Sequence, residues 1–340
     1  MITPSRDDLQ VVGVFNPAAL RVGDEVVLLL RVAEAPRDAP SDEVAAPIYD
    51  PATGRLEIRR FRRDAPGVDA DSDSREFEVD GQVYLTSISH VRLARSRDGI
   101  EFTIEPAPLL APADVLEAYG VEDPRATVVD GEILVNYTAV SQHGISTALA
   151  VGPDLHKLER RGIIFSPPNR DVTIFPERIG GRYVALHRPM PHRLGTPAIW
   201  LASSRDGMCW GEHRLVAAAR PGMWDDLKIG GGAPPVKVRG RGRDGWLAIY
   251  HGVRANPLTY ALGALLLDSD DPGRVLGRSR TPVLAPEAPY ELNGFFGNVV
   301  FSCGLVEHAG ALRIYYGAAD GVTAMADVSI EEILEDLEMT

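Results

Sequence analysis

Leu93-Ala94-Arg95-Ser96-Arg97-Asp98-Gly99, followed by Phe102, is the stretch that decides the fold, because a close copy of it recurs further along the chain. The copy is Leu201-Ala202-Ser203-Ser204-Arg205-Asp206-Gly207, followed by Trp210, and looser copies lie at 149–155 and 265–272. A strand that ends in a small residue, then a polar turn, then an aromatic residue, repeated about every 50 residues, is typical of the blades of a β-propeller. A β-sandwich would not explain why the same turn recurs so regularly.

The rest of the chain agrees with an all-β fold that has a short C-terminal helix. Runs rich in β-branched and aromatic residues, bounded by Gly, Asp or Pro, predict strands at 26–32, 83–89, 133–137, 183–187, 198–202, 246–250, 261–267 and 312–316. Helical patterns are confined to 112–119 and to 329–337, where Ser329 precedes two glutamates and predicts a helix cap. The 33 glycines and 26 prolines favour many turns.

Charge and hydropathy exclude several classes of partner. The 35 Lys and Arg residues against 48 Asp and Glu residues give a net charge of −13, which disfavours binding to nucleic acid or to an anionic membrane surface. The N-terminus lacks the pattern of a signal peptide, and no apolar stretch approaches the ~20 residues that a membrane span requires. We therefore expect a cytoplasmic protein that binds neither nucleic acid nor membrane.

A single domain is expected despite the length of the chain. The 340 residues would allow two domains, but all-β folds often form one large unit. We predict one β-propeller domain over 1–340, with a charged, proline-rich insertion at about 34–80. The insertion is interpreted as a solvated surface segment with a hairpin around 48–61. The alternative is a lid or a contact between subunits, because long loops in compact domains are often functional.

Several well-known catalytic and cofactor motifs are absent from the sequence. It has no phosphate-binding GxxxxGK[ST], no GxGxxG that opens a helix, no HExxH and no GxSxG. Its two cysteines, Cys209 and Cys303, are interpreted as buried free thiols rather than as a disulfide or a metal pair. We therefore expect neither a metal nor an organic cofactor.

Polar segments next to Pro or Gly are the remaining candidates for a site, and they lie at 15–17, 121–127, 169–177, 187–189, 224–232 and 250–253. Asn16 before a proline is either a turn former or a ligand-binding residue. Asp123 and Arg125 form either a surface ion pair or a general acid with a neighbour that sets its pKa. Four basic residues stand at the ends or starts of successive strands: Arg170, Arg188, Lys228 and His251. If they converge on the channel of a propeller, they would form an anion site suited to phosphate.

Taken together, these segments resemble glycoside hydrolase family 130, the inverting β-mannoside phosphorylases with some hydrolases, which have a five-bladed β-propeller. The resemblance rests on Phe15-Asn16-Pro17, Glu122-Asp123-Pro124-Arg125, Asp171 to Phe175-Pro176-Glu177, His187-Arg188-Pro189, Lys228-Ile229-Gly230, Tyr250-His251-Gly252-Val253 and Tyr316-Gly317-Ala318-Ala319-Asp320. The resemblance implies that Asp123 is the single catalytic acid and protonates the glycosidic oxygen through the 3-hydroxyl of the transferred mannose. It also implies that Arg170, Arg188, Lys228 and His251 bind phosphate. Substrate binding would fall to Asn16, Arg31, Arg125 and Asp320.

The full set of phosphate-binding residues favours phosphorolysis over hydrolysis. An inverting hydrolase needs a second carboxylate to activate water, whereas phosphate is already an anionic nucleophile. We expect an enzyme that converts short β-1,2- or β-1,4-mannosides and inorganic phosphate, a co-substrate, into α-mannose 1-phosphate and a shortened sugar. The alternatives are an inverting β-mannosidase and a non-catalytic carbohydrate-binding propeller. A homo-oligomer is a further expectation, because propellers of this family often associate.

Overall fold

The computed structural model describes residues 2–71, 73–239 and 244–339. In these ranges the protein is almost entirely antiparallel β-sheet. The α-helices there are two short ones, α1 (Pro289–Leu292) and α2 (Ile330–Asp336), and single 3-10 turns lie at Val115–Glu117 and Leu155–Lys157. The Ser329 hydroxyl caps α2 by accepting a hydrogen bond from the backbone N–H of Glu332 at 3.3 Å. The all-β prediction and the C-terminal helix are confirmed, while the helical pattern at 112–119 yields only the first 3-10 turn.

The first sheet is interrupted by the insertion. The strands in chain order are β1 (Leu9–Val22), β2 (Glu25–Pro36), β3 (Glu43–Asp50), β4 (Arg55–Arg62), β5 (Val68–Asp69), β6 (Glu76–Val79), β7 (Gln82–Leu85), β8 (Ile88–Ser96) and β9 (Thr103–Leu110). The first sheet has the order β1-β2-β8-β9. The strands between β2 and β8 form a hairpin, β3-β4, and a small sheet, β5-β6-β7. The strand predicted at 83–89 is therefore divided between β7 and β8.

Four further sheets follow along the chain. The second contains β10 (Gly120–Val129), β11 (Glu132–Ser141), β12 (Gly144–Gly152) and β13 (Glu159–Phe165), and the third contains β14 (Asn169–Ile174), β15 (Tyr183–Pro189), β16 (Ile199–Ser204) and β17 (Trp210–Ala217). The fourth contains β18 (Lys228–Gly231), β19 (Val236–Val238), β20 (Gly245–Arg254), β21 (Thr259–Leu267) and β22 (Val275–Ser279), and the fifth contains β23 (Val300–His308), β24 (Ala311–Ala318) and β25 (Val322–Ser329). The last strand, β26 (Leu337–Met339), returns to pair with β22 of the fourth sheet.

Burial falls from the inner to the outer strand of a sheet. The inner strand β10 is buried at nine of its ten residues, whereas the outer strands β13 and β17 are exposed at four of seven and four of eight residues. Since both faces of an inner strand are covered by other sheets, its sequence is a continuous apolar run rather than an alternating one. The inner strands contact one another, β1 with β10 and β23, β10 with β14, and β14 with β18. They therefore surround a common central region.

The repeated turn has the same hydrogen bonds in both close copies. The backbone N–H of Gly99 donates to the Ser96 hydroxyl at 2.9 Å, and that of Gly207 donates to the Ser204 hydroxyl at 2.9 Å. Both glycines have positive φ, 72° and 77°, which side chains with a Cβ rarely adopt. The repeat in the sequence is therefore a repeated Ser-x-Asp-Gly turn that ends the second-last strand of a sheet.

The insertion, which the structure places at residues 37–87, packs against the second sheet. Ile48 and Phe77 share a hydrophobic cluster with Tyr119 and Val140, and Phe77 is 2% exposed. The backbone N–H of Tyr49 also donates to the carbonyl of Ala118 at 2.8 Å. Most residues of the insertion are exposed or half-buried, as expected of a surface segment, but 44–48 and Phe77 are buried, and the hairpin is present over Glu43–Arg62.

The structure also bears on two further expectations from the sequence, which concern the cysteines and membrane-spanning segments. Cys303 is buried and Cys209 is exposed, so the expectation of buried thiols holds only for Cys303. Both thiols are free. Within residues 2–71, 73–239 and 244–339, no helix has the length and apolar character needed to cross a membrane.

Phe77→Ala should destabilise the insertion, because the Phe77 ring packs between Phe61 and Tyr84 with centroids 5.7 and 5.6 Å away. We expect a loss of about 3 to 5 kcal/mol in the free energy of unfolding. Thermal melting and limited proteolysis within 37–87 would measure it. The matched control is Val83→Ala in the same small sheet, since Val83 is 40% exposed. An unchanged melting temperature for Phe77→Ala would contradict the packing described here.

Candidate active site

One cavity brings together most of the residues that the sequence singled out. It has a volume of about 350 Å³, which is in the range of pockets for small molecules. Eight of the nine predicted site residues line it: Asn16, Arg31, Asp123, Arg170, Arg188, Lys228, His251 and Asp320. The structure thus brings these eight positions together, and Arg125 is the exception.

β-Bulges in the inner strands aim three of the polar side chains. The register of the first three sheets shifts at the same place in each inner strand, between Phe15 and Ala18, between Glu122 and Arg125, and between Arg170 and Thr173. At each shift one residue has positive φ: Asn16 at 49°, Asp123 at 46° and Asp171 at 56°. Asn and Asp tolerate this conformation better than other residues that have a Cβ. A bulge leaves one residue unpaired and redirects its side chain, so the backbone itself presents these groups to the cavity.

Asp320 reaches the cavity from the turn between β24 and β25. Ala319 and Asp320 have φ of 48° and 50°, the pair of positive values typical of a tight hairpin turn. Burial raises the pKa of the Asp320 carboxyl to about 6, the Asp123 charge adding to this and the Arg31 charge opposing it.

The acidic side of the cavity is formed by Glu122, Asp123 and Asp320 with Arg31. Asp123 Oδ1 accepts hydrogen bonds from Asn16 Nδ2 and from Arg31 Nη1, both at 2.9 Å. Arg31 Nη2 donates to Glu122 Oε1 at 2.8 Å. Burial opposes ionisation of Asp123, but the charges of Arg31 and Arg170 outweigh it and hold the pKa of this carboxyl below its usual range. Asp123 is therefore ionised at neutral pH.

The basic side is formed by Arg170, Arg188 and Lys228 around Asp171. Arg188 Nε donates to Asp171 Oδ2 at 2.5 Å. The Lys228 ammonium lies 5.0 Å from the centre of the Tyr260 ring. The Nε of Arg170 is buried and has no hydrogen-bond partner among the residues that the structure describes. This side therefore has cationic donors available for an anion.

His251 belongs to the basic side but is uncharged at neutral pH. Burial lowers the pKa of its imidazole to about 3, since the nearby charges of Arg188 and Lys228 add to desolvation and outweigh Asp171. Its Nδ1 lies 3.3 Å from the carbonyl oxygen of Gly231. A proton on Nδ1 would bond this carbonyl and leave Nε2 as an acceptor. The basic side therefore contains three cations and a neutral imidazole, instead of the four cations expected from the sequence.

Arg125 lies behind the cavity instead of lining it. It is 1% exposed, and its guanidinium donates to the carbonyls of Gly232 at 2.7 Å and Gly231 at 3.0 Å. It also donates to the Asp123 carbonyl and to Asp171 Oδ1, both at 3.3 Å. The expectation of direct contact between Arg125 and substrate is therefore corrected, because these donors are used within the protein.

Sequence reasoning missed four residues that shape the cavity: Arg75, Glu122, Asp171 and Tyr260. Glu122 and Asp171 lie inside segments that were singled out, each directly beside a predicted site residue, Asp123 or Arg170, and this adjacency is the signal that could have found them. Arg75 belongs to the insertion, whose packing the sequence did not reveal. Elsewhere in the described ranges, as in this cavity, no group of three or more His, Cys, Asp or Glu residues could hold a metal ion.

The separation of charge limits what the cavity can bind. The acidic side has three carboxyls and one guanidinium, and the basic side has three cations and one carboxylate. Carboxylates, an amide and a guanidinium are suitable partners for the hydroxyls of a sugar, and the basic side suits an anion of phosphate size. The arrangement thus fits a neutral sugar held next to an anion.

Comparison with known proteins agrees with this geometry. Residues 77–339 match the model of a family described as β-1,4-mannooligosaccharide phosphorylase. The chain is 42% identical to the β-1,2-mannobiose phosphorylase of Listeria innocua, over 99% of this chain and 95% of that protein. It is 31% identical to the β-1,4-mannooligosaccharide phosphorylase of Ruminococcus albus, over 71% and 73% of the two chains. The solved structure of the Listeria enzyme with β-1,2-mannobiose superposes with a TM-score of 0.93 and covers 98% of this chain and 94% of that one. The chain belongs to glycoside hydrolase family 130.

Proposed function

We propose that the protein is an inverting phosphorylase that cleaves short β-1,2-mannosides with inorganic phosphate and releases α-mannose 1-phosphate and a shortened sugar. The observation that carries this proposal is the division of one cavity into a side with Asp123 and a side with three cations and His251. The β-1,2 linkage is favoured because the relative that matches along 99% of the chain is named a β-1,2-mannobiose phosphorylase.

In the proposed reaction, the basic side holds phosphate against the anomeric carbon. A phosphate oxygen forms the new bond to this carbon from the face opposite the leaving sugar. The glycosidic bond breaks, its electron pair stays on the leaving oxygen, and that oxygen takes the proton of Asp123 through the 3-hydroxyl of the mannose. Asn16 and Arg31 hold the Asp123 carboxyl in place for this transfer. Asp320 binds the transferred mannose, and Arg125 positions Asp123 and Asp171 from behind.

Phosphate itself prepares the acid for this step. The charges of Arg31 and Arg170 outweigh desolvation and lower the pKa of Asp123. A bound phosphate adds negative charge beside Arg170, which offsets part of that stabilisation and shifts the pKa of Asp123 upward. Phosphate binding thus favours the protonated acid, and the proposed reaction uses neither a metal nor an organic cofactor.

The geometry favours phosphorolysis over the hydrolytic alternative. An inverting hydrolase places a second carboxylate about 6.5 to 9.5 Å from the acid, with water between them. On the basic side the carboxylate is Asp171, which is buried and bonded to both Arg188 and Arg125. These bonds hold the pKa of Asp171 well below its usual range, so it is a poor base.

The same proposal assigns the five successive sheets to the five blades of a propeller. The inner strands β1, β10, β14, β18 and β23 then line the channel that contains the cavity. The first and last blades meet where the backbone N–H of Val14 donates to the carbonyl of Gly321 at 3.0 Å. The Thr323 hydroxyl donates to the Val14 carbonyl at 2.8 Å in the same place.

Lys228→Ala should weaken phosphate binding, because the variant loses one of three cations on the basic side. With β-1,2-mannobiose as donor, we expect the KM for phosphate to rise at least about tenfold, as for loss of a charged hydrogen bond. Lys237→Ala is the matched control, since Lys237 also lies over an aromatic ring, 5.2 Å from the centre of Trp246, but outside the cavity. Equal release of mannose without phosphate would identify a hydrolase, and faster cleavage of β-1,4-mannobiose would contradict the linkage.

Asp123→Asn should remove the acid while keeping a residue that tolerates positive φ. We expect turnover of β-1,2-mannobiose to fall about 100- to 10,000-fold, the usual contribution of a general acid. The binding of mannobiose, measured by calorimetry, should persist. Wild-type activity in this variant would exclude Asp123 as the acid.

Asp320→Asn should stabilise the protein at neutral pH and abolish activity. The pKa of Asp320 is raised to about 6 in the folded protein, so its ionisation disfavours the folded state as the pH rises from about 4 to 6. An asparagine remains neutral and tolerates the φ of 50°. We expect the melting temperature to exceed that of the wild type by about 2 to 4 °C at pH 7.5. The difference should vanish near pH 4, and a constant difference at both pH values would contradict the assignment.

A further inference from the structure

The insertion forms part of the wall of the active-site cavity. Arg75, Glu76, Leu85 and Ser87 line it together with the residues of the inner strands. The innermost groups are almost fully buried, with His251 at 1% exposure, whereas the Arg75 side chain is 40% exposed and Glu76 is exposed. The insertion therefore forms the mouth of the cavity rather than its floor.

Arg75 is held in a fixed orientation at this mouth. Its Nε and Nη2 donate to the Asp73 carboxylate at 3.0 and 2.6 Å. Its guanidinium lies 4.2 Å from the centre of the Phe296 ring, which comes from the segment between α1 and β23 on the other side of the mouth. The Arg75 carbonyl accepts the backbone N–H of Thr86 at 3.0 Å. The Arg75 side chain thus connects the insertion to the segment that contains Phe296, across the mouth of the cavity.

The charge of Arg75 reaches the acidic side of the cavity. It is among the charges that act on Asp320, along with Arg31, Asp123 and Glu122. The charges that act on His251 are instead those of Asp171, Arg188, Lys228 and Arg125. Since Asp73 offsets its charge, Arg75 is a weak site for phosphate but keeps a planar set of N–H donors beside an aromatic face. Such a surface suits the hydroxyls and the apolar face of a sugar.

We propose that Arg75 is a specificity-determining residue that binds hydroxyl groups of the leaving sugar, which is the acceptor in the reverse reaction. This inference rests on the proposed function. Arg75 belongs to the insertion at the mouth of the cavity, so a contact at this position can set the choice of leaving sugar without altering the groups around the bond to be cleaved.

The test compares Arg75→Ala and Arg75→Lys with the wild type in both directions of the reaction. With Arg75→Ala we expect the KM for β-1,2-mannobiose, and for mannose as acceptor with α-mannose 1-phosphate, to rise about tenfold, as for loss of a hydrogen bond to a charged group. The KM for phosphate and for α-mannose 1-phosphate should stay within about twofold. Arg75→Lys should show most of the same loss, because an ammonium cannot replace the planar pair of donors.

Arg62→Ala is the matched control. Arg62 forms the same kind of paired contact with an aspartate two residues away, Asp64, at 2.9 and 2.8 Å, but outside the cavity. Unchanged KM values for mannobiose and mannose would overturn the inference. So would an equal rise in the KM for phosphate, or a drop in kcat and melting temperature without a change in KM.

If the proposed phosphorylase function is wrong, the kinetic results will differ from those expected when only the role of Arg75 is wrong. A wild-type protein without phosphate-dependent turnover would refute the phosphorylase but not the role of Arg75. In that case the role of Arg75 is tested by calorimetry with the Asp123→Asn variant, with and without Arg75→Ala. Calorimetry measures the binding of β-1,2-mannobiose without turnover. Weaker binding on adding Arg75→Ala would support the contact, and equal binding would exclude it.

Discussion

The rest of the cavity depends on the buried carboxylate of Asp171. This carboxylate accepts hydrogen bonds from Arg188 of the same sheet and from Arg125 of the second sheet. Arg125 continues to the carbonyls of Gly231 and Gly232 in and beside the inner strand of the fourth sheet. Three sheets are thus tied together by one buried charge, and losing either partner would leave an uncompensated charge in the interior. A Cβ on Gly230 would lie 2.6 Å from Asp171 Oδ2 and 2.4 Å from the His251 ring, so this close approach requires glycine.

The same network explains how an acid and an anion site coexist in one cavity. Asp171 keeps Arg188 on the basic side, and Arg31 keeps Glu122 and Asp123 on the acidic side. Among the described residues, the two groups meet only where Arg170 Nη2 lies 3.7 Å from Glu122 Oε2, while Arg188 is held by Asp171 and Asp123 by Arg31. An incoming anion can then compete for the cations without breaking the pair that holds Asp123. Preorganised charges of this kind need little rearrangement during the reaction.

The features that could be predicted from the sequence are those that depend only on residues close together in the chain. The Ser-x-Asp-Gly turn satisfies its own hydrogen bonds, so its repetition reveals the sheets before any contact between them is known. Asn16, Asp123 and Asp171 also fit their bulges for a local reason, since few other residues with a Cβ accept their positive φ, but the bulges themselves were not predicted. The neutral state of His251, the position of Arg125 behind the cavity and the packing of Phe77 depend on burial by distant segments. No local pattern carries that information.

The cavity therefore has two parts that are held in place in different ways. This difference bears on which part can vary between related enzymes. The groups around the bond to be cleaved are placed by bulges in inner strands, where a shift of one residue would disturb a whole sheet. The mouth is formed by the insertion, which has its own hydrophobic cluster with Phe77 at its centre. Since its stability comes mainly from that cluster and one face of the second sheet, the insertion can vary while the network around Asp171 remains intact. The mouth of the cavity and the groups around Asp123 are thus held by separate parts of the structure.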